Sequence, residues 1–212
     1  MNKLPPLALY IHIPWCERKC PYCDFNSHVS HTSLPETDYI AALERDILSQ
    51  LSYVQGREIS SIFIGGGTPS LFSAQSIKAI LDNTAALIPF AENIEITMEA
   101  NPGSAEAEKF VGLFAAGINR LSIGVQSFDD LCLTNLGRVH NASNAINAIK
   151  LAQQAGFTRI NVDLMHGLPA QSQAMAMADL QQAIDLGVEH ISWYQLTIEQ
   201  NTEFYRYPPI LP

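Results

Sequence analysis

The chain has 212 residues, is 47% hydrophobic and 16% charged, and carries a formal net charge of -9, the profile of a globular domain long enough to bury its own core without disulfide staples. The acidity, with no run of Lys and Arg to reverse it locally, argues against nucleic acid as a partner. No stretch approaches the roughly 18 apolar residues of a transmembrane segment, and Met1 to Pro6 lack the pattern of a signal peptide, so the expected location is cytoplasmic.

In chain order the periodicity predicts a strand over Leu7–Ile13, a helix over about Glu36–Gln50, a strand over Ser60–Ile64 and a helix over Ala74–Leu87. A strand over Glu92–Glu99, a helix over Ala105–Ala115 and a strand over Leu121–Gly124 follow. Then come a helix over Ala142–Ala155, a strand over Ile160–Leu164, a helix over Gln173–Leu186 and a strand over Ile191–Gln195. Gly117, Gly156 and Gly187 each close a run of helix formers and open an apolar run, as helix C-caps do. Six alternating units imply an α/β fold with a parallel sheet and right-handed crossovers. Six are too few for a closed eight-stranded barrel, so an open, partial barrel is expected, with a flat doubly wound sheet as the alternative. Residues 1–205 read as one core. The proline-rich residues 206–212 read as the start of a linker to a further domain.

Cys16, Cys20 and Cys23 follow C-x3-C-x2-C in the loop after the first strand. Three thiolates so close can take three irons of a cluster and leave the fourth without a protein ligand. An open metal position is what a catalytic site needs. Ferredoxin-type clusters use four cysteines at other spacings. A zinc site completed by His12 or His28, or a redox pair at Cys20-Pro21-Tyr22-Cys23, are the alternatives on spacing alone. Cys132 lies in a helical region and reads as a small buried hydrophobe.

Gly65-Gly66-Gly67-Thr68-Pro69 follows the second strand, where glycines let a backbone approach a ligand. No Gly-Lys-Ser/Thr follows, so it is not a phosphate loop. Polar groups recur at the later strand ends: Glu99, Gln126, Asp163, Gln195 and Thr197, with Arg138 as the basic group. In barrels of parallel strands that end carries the site, and acids and amides there suit a ribose and an adenine. His166 is consistent with a satisfied loop histidine.

With Tyr10-Ile11-His12-Ile13-Pro14-Trp15-Cys16, Cys20-Pro21-Tyr22-Cys23, Gly65-Gly66-Gly67-Thr68-Pro69, Gly124-Val125-Gln126-Ser127-Phe128 and Asp163-Leu164-Met165-His166-Gly167-Leu168-Pro169, the sequence resembles the oxygen-independent coproporphyrinogen III oxidase group of radical SAM proteins. The resemblance covers nearly the whole chain. It implies a partial (β/α)6 TIM-like barrel and a [4Fe-4S] cluster on Cys16, Cys20 and Cys23. It also implies S-adenosyl-L-methionine (SAM) on Tyr10, Tyr22, Gly66, Gly67, Thr68, Glu99, Gln126, Arg138, Asp163 and Thr197. Gly66 and Gly67 would face the methionine part, and Glu99, Gln126, Arg138 and Asp163 the rest. In that family the cluster donates an electron to SAM, giving methionine and a 5′-deoxyadenosyl radical.

The oxidase branch carries a further cysteine two residues after the triad, where this chain has Phe25. It also has a longer extension before the first strand. Both departures resemble the heme chaperone branch, which binds heme and delivers it to heme-accepting proteins, and whose candidate heme ligands lie in a C-terminal domain beyond this chain. The oxidase activity, decarboxylation of coproporphyrinogen III to protoporphyrinogen IX in porphyrin biosynthesis, is the alternative. A radical SAM tRNA modifier shares the cysteine spacing, but the acidity disfavours it.

Overall fold

The computed structural model of the protein describes residues 4–30, 33–103 and 109–212. Six strands form one sheet: β1 (Leu7–Ile13), β2 (Ile59–Gly66), β3 (Phe90–Ala100), β4 (Arg120–Gln126), β5 (Ile160–His166) and β6 (His190–Gln195). All pairings are parallel, and the spatial order follows the chain order. That order separates the two architectures the sequence allowed. A doubly wound sheet reverses its strand order at a switch point, and this sheet does not. Strictly sequential parallel strands wind one way, which is the open barrel.

The helices are α1 (Glu36–Val54), α2 (Ala74–Leu87), α3 (Phe110–Ala115), α4 (Asp130–Asn135), α5 (Ala142–Gln154), α6 (Gln173–Asp185) and α7 (Glu203–Arg206). Helix α1 runs beyond its expected end because Ile40, Leu43, Ile47, Leu51 and Val54 continue one stripe against the core. Residues 105–108 of the helix expected over Ala105–Ala115 lie outside the described residues. Ser73, Asn141 and Ser172 cap α2, α5 and α6 by accepting from backbone N–H groups. Gly117, Gly156 and Gly187 all have positive φ, as helix ends require. The short helices α4 and α7, and a 3-10 turn over Pro69–Leu71, are too brief to leave a periodic signal.

Strand alternation sorts the sheet into two faces. Ile11, Ile13, Ile62, Ile64, Ile96, Met98, Leu121, Ile123, Val162 and Leu164 point to one face and are buried in the main core. The helices pack on that side. The other face is polar in register: Glu99 pairs with Ser122, Ser122 with Asn161, and Gly124 with Asp163. Helices on one face only leave the second as the concave interior of the barrel. Stability therefore comes from the outer layer, and the inner layer is free to carry function. Among the described residues no helix is long and apolar enough to cross a membrane.

Leu121 is fully buried at the centre of the apolar face. Leu121→Ala should lower unfolding stability by about 2–5 kcal/mol through lost burial plus a residual cavity. A urea titration checks it.

Candidate functional site

The cysteine loop leaves β1 and is pinned at several points. Trp15 and Cys16 pair in parallel with His28 and Val29, and Ser30 N–H donates to the Cys16 carbonyl. Between them, Cys23 N–H closes a turn on the Cys20 carbonyl at 3.0 Å. Lys19 Nζ donates to the carbonyls of Phe25 and Ser27. His12 Nε2 reaches the Asn26 carbonyl at 2.8 Å, while its Nδ1 meets Tyr10 Oη at 3.0 Å. The loop is thus fixed largely by backbone acceptors, and its sulfurs form no disulfide. All four cysteines are free.

The loop covers a cavity of about 410 Å3 at the C-terminal ends of the strands. Cys16, Cys20 and Cys23 line it, and so do Tyr22, Gly66, Gly67, Thr68, Glu99, Gln126, Arg138, Asp163 and Thr197. Residues from five strand ends and two loops therefore meet at one place, as the strand-end pattern suggests. Tyr10 does not line the cavity. It lies on the inner face of β1 below the strand end, 56% exposed and stacked on Phe63. His12 stands between Tyr10 and the loop. Phe25 is 57% exposed on the cavity rim.

Two of the three glycines, Gly66 and Gly67, have a tighter reason than ligand approach. A Cβ on Gly66 would fall 2.6 Å from the His12 ring, and one on Gly67 would fall 2.5 Å from the Trp15 carbonyl oxygen. Gly66 also has φ +118, which side-chain-bearing residues rarely adopt. The N–H groups are engaged as well: Gly66 donates to Glu99 Oε2 (3.0 Å), Gly67 to the Ile13 carbonyl and Thr68 to the Trp15 carbonyl. The loop is a packing surface for the cysteine loop first, and a cavity wall second.

Arg138 is the buried cation of the site. Its Nη1 donates to Cys20 Sγ at 3.3 Å and lies 3.5 Å from Tyr22 Oη. Its Nη2 donates to Asn101 Oδ1 (2.8 Å) and the Gly124 carbonyl (2.7 Å), and its Nε is buried without a partner. Two carboxylates face the same cavity. Burial raises Glu99, opposed by the Gly66 N–H and supplemented by Asp163. Burial also raises Asp163, against hydrogen bonds from Asn161, Ser122 and Ser192. Burial pushes the Cys23 thiol up, opposed by a backbone hydrogen bond from Phe25. Cys132 is fully buried away from the cavity among Leu136, Met165, Leu168, Leu196 and Phe204, and burial pushes its thiol up to about 12, consistent with an inert core residue.

Several site groups are not evident from motif reading. Tyr194 donates to Gln126 Oε1 at 2.9 Å, and Asn101 links Arg138 to Thr68 Oγ1. Asp179 on α6 accepts from Ser127 Oγ (2.8 Å) and Phe128 N–H (2.7 Å), which holds the loop carrying Gln126. Asp179 has a sequence signal: it sits at helical spacing between the buried Ala176 and Ala183, so a carboxylate falls on the apolar face. Tyr194 shares the strand parity of Ser192, which faces Asp163 across the ladder.

Among the described residues no three His, Cys, Asp or Glu side chains converge on a single-ion position. A cluster asks for something different, because its thiolates bind separate irons. Three free soft sulfurs on one wall, a buried guanidinium on one of them, and a cavity beside them fit an iron–sulfur cluster with an open iron. Glu99 and Asp163 suit a ligand that brings positive charge. Because their folded pKa values are raised, the folded chain binds more protons above the ordinary carboxylate range, and stability falls as pH rises through that window. Glu99→Gln should therefore stabilise the ligand-free chain at neutral pH and flatten that slope. Urea midpoints between pH 4 and 8 test this, and an unchanged slope contradicts it.

The chain matches the model of the radical SAM superfamily over residues 10–197. The heme chaperone HemW of Escherichia coli is 56% identical over 212 residues, all of this chain and 56% of that protein. The heme chaperone HemW of Bacillus subtilis is 40% identical over 199 residues, 93% of this chain and 52% of that protein. Among solved structures, the coproporphyrinogen III oxidase HemN of Escherichia coli, a radical SAM enzyme, superposes with a TM-score of 0.87 at 28% identity, covering 98% of this chain and 48% of that one. The chain spans about half the length of the curated relatives it matches. With the family model running from within the first strand, through the cysteine loop, to just past the sixth, the chain belongs to the radical SAM superfamily.

Proposed function

We propose that this chain is the cluster- and SAM-binding core of a cytoplasmic heme chaperone, which binds heme and passes it to acceptor proteins. The observation that carries the reading is the 56% identity, over every residue of the chain, to a protein named a heme chaperone. That is twice the identity to the oxidase. Phe25 supports it, because the oxidase branch is expected to carry a cysteine there. Residues 206–212 then serve as a linker toward the heme-binding part of the longer protein.

In this reading Cys16, Cys20 and Cys23 hold the [4Fe-4S] cluster on three irons. A cluster so held supplies single electrons from an iron open to an amino acid. Gly66, Gly67 and Thr68 shape the wall beside it. Glu99 and Asp163 offer acceptors for ammonium and hydroxyl groups and balance the positive charge of a sulfonium ligand. Gln126, Arg138, Tyr22 and Thr197 complete the enclosure of SAM. Tyr10 acts at one remove, through His12 and the cysteine loop. Tyr194, Asn101 and Gly124 hold Gln126 and Arg138 in place through protein contacts.

The full-length protein, reconstituted anaerobically with iron and sulfide, should bind heme with a shifted Soret band and leave coproporphyrinogen III unchanged in the presence of SAM. Formation of protoporphyrin would overturn the chaperone reading in favour of the oxidase. At the cluster, Cys20→Ser should lose the four-iron absorbance, whereas Cys132→Ser should keep about four irons and four sulfides per chain, the cluster stoichiometry. A complete, SAM-responsive cluster in Cys20→Ser contradicts the ligand assignment.

A further inference from the structure

We infer that Arg138 sets the reduction potential of the cluster by a charged hydrogen bond from its Nη1 to the Sγ of Cys20, independently of any contact it makes with SAM. The inference rests on the cluster reading above. Three observations carry it. Nη1 lies 3.3 Å from Cys20 Sγ, within reach of an N–H···S bond. The guanidinium is partly buried and held in place by Asn101 Oδ1 and the Gly124 carbonyl on its other nitrogen. Its Nε is buried with no acceptor, so the side chain still has one donor without a protein partner.

The backbone secures the approach separately. Gly137 has φ +74, and a Cβ there would fall 2.7 Å from Pro21 Cδ. Helix α4 therefore ends directly against the cysteine loop, and the next residue is placed at the sulfur. Phe204 N–H holds the far side of that loop through the Pro21 carbonyl. The contact is a docked one and does not depend on a long side chain reaching across solvent.

The sign follows from charge. Reduction adds one electron to the cluster and its thiolates, and a cation bonded to a ligand sulfur favours the more negative state. Hydrogen bonds to the sulfurs and burial are among the levers that set cluster potentials. A fixed positive charge that is partly buried is also screened less than one in open solvent. Arg138 therefore makes the cluster easier to reduce. Lys19 is a useful contrast: it is a cation on the same loop whose Nζ is occupied by two carbonyls and whose charge reaches the Cys23 sulfur through space, as the smallest of the influences on that thiol.

The test is a spectroelectrochemical titration of the full-length, reconstituted protein without SAM. In Arg138→Gln the equilibrium should shift at least tenfold toward the oxidised cluster, about 59 mV for one electron. Arg138→Lys, which keeps the charge but loses the fork, should fall between that variant and the parent. Lys19→Met should move the equilibrium less than threefold. Parent-like potentials in both Arg138 variants would overturn the inference. So would a Lys19→Met shift as large as that of Arg138→Gln, since general charge would then explain the effect. Loss of the cluster from both Arg138 variants would also refute it, making Arg138 an assembly residue. If the parent protein itself holds no iron and sulfide, it is the cluster reading that fails.

Discussion

Taking the Arg138 guanidinium out of water costs several kcal/mol, and the interior must return that through geometry. The partners that do so come from different parts of the chain. Cys20 and Tyr22 belong to the cysteine loop, Asn101 to the end of β3, and Gly124 to β4. A single buried cation therefore ties the loop that carries the sulfurs to the strand ends that carry the rest of the cavity. Burying it also silences a neighbour: burial first, and then the Arg138 charge, holds His140 down to about 3. His140 is accordingly neutral and donates from Nε2 to the Val125 carbonyl at 3.0 Å. Removing the cation would release the loop, the strand end and the histidine together.

The two-faced sheet explains why such a demanding site is tolerated. The outer face is a continuous layer of Ile, Leu, Val and Met covered by helices. The inner face holds half-buried acids and buried amides and hydroxyls that contribute little to burial of apolar surface. Asn161 is the hinge of that inner network: it donates to Ser122 Oγ and Asp163 Oδ1 and accepts from Ser192 Oγ. These bonds fix the Asp163 carboxylate without neutralising it. Acids kept half-buried and raised in pKa work against stability, a cost that a cationic ligand beside them would offset.

What the sequence made legible was local. The strands and helices follow from apolar periodicity, the parallel sheet from strict alternation, and the cysteine wall from spacing within one loop. The observed strands run further than expected at their C-terminal ends, to Gly66, Gln126 and His166, because glycines and polar residues there still pair in the ladder. The triple glycine was legible as a close-approach site, but not what approaches: the atoms nearest Gly66 and Gly67 belong to His12 and Trp15. Tyr10 shows the converse limit. Its motif places it near the cysteines in sequence, yet strand parity and the rise along β1 put its ring beside Phe63. Contacts such as that of Asp179 with Ser127 join residues far apart in sequence, and no local pattern records them.

The loop after β4 shows how these distant contacts act on the site. Gln126 has φ +73, a conformation that costs a residue other than glycine on the order of 1 kcal/mol or more and persists only where its surroundings enforce it. The surroundings do so from three sides. His140 holds the preceding carbonyl, Tyr194 donates to the side-chain oxygen, and Asp179 takes both the Ser127 hydroxyl and the Phe128 N–H. The ladder between β4 and β5 is irregular at the same point, with the register shifting between Gly124 and Gln126. That shift gives Gly124 a carbonyl turned to Arg138 and leaves Gln126 facing the cavity. Gln171 extends the same anchor to the loop after β5, donating to Asp179 and to the Met165 carbonyl while accepting from Leu168 N–H. One buried carboxylate on α6 thus fixes two adjacent strand-end loops. The geometry of the cavity wall is set from the helix layer, outside the site it serves.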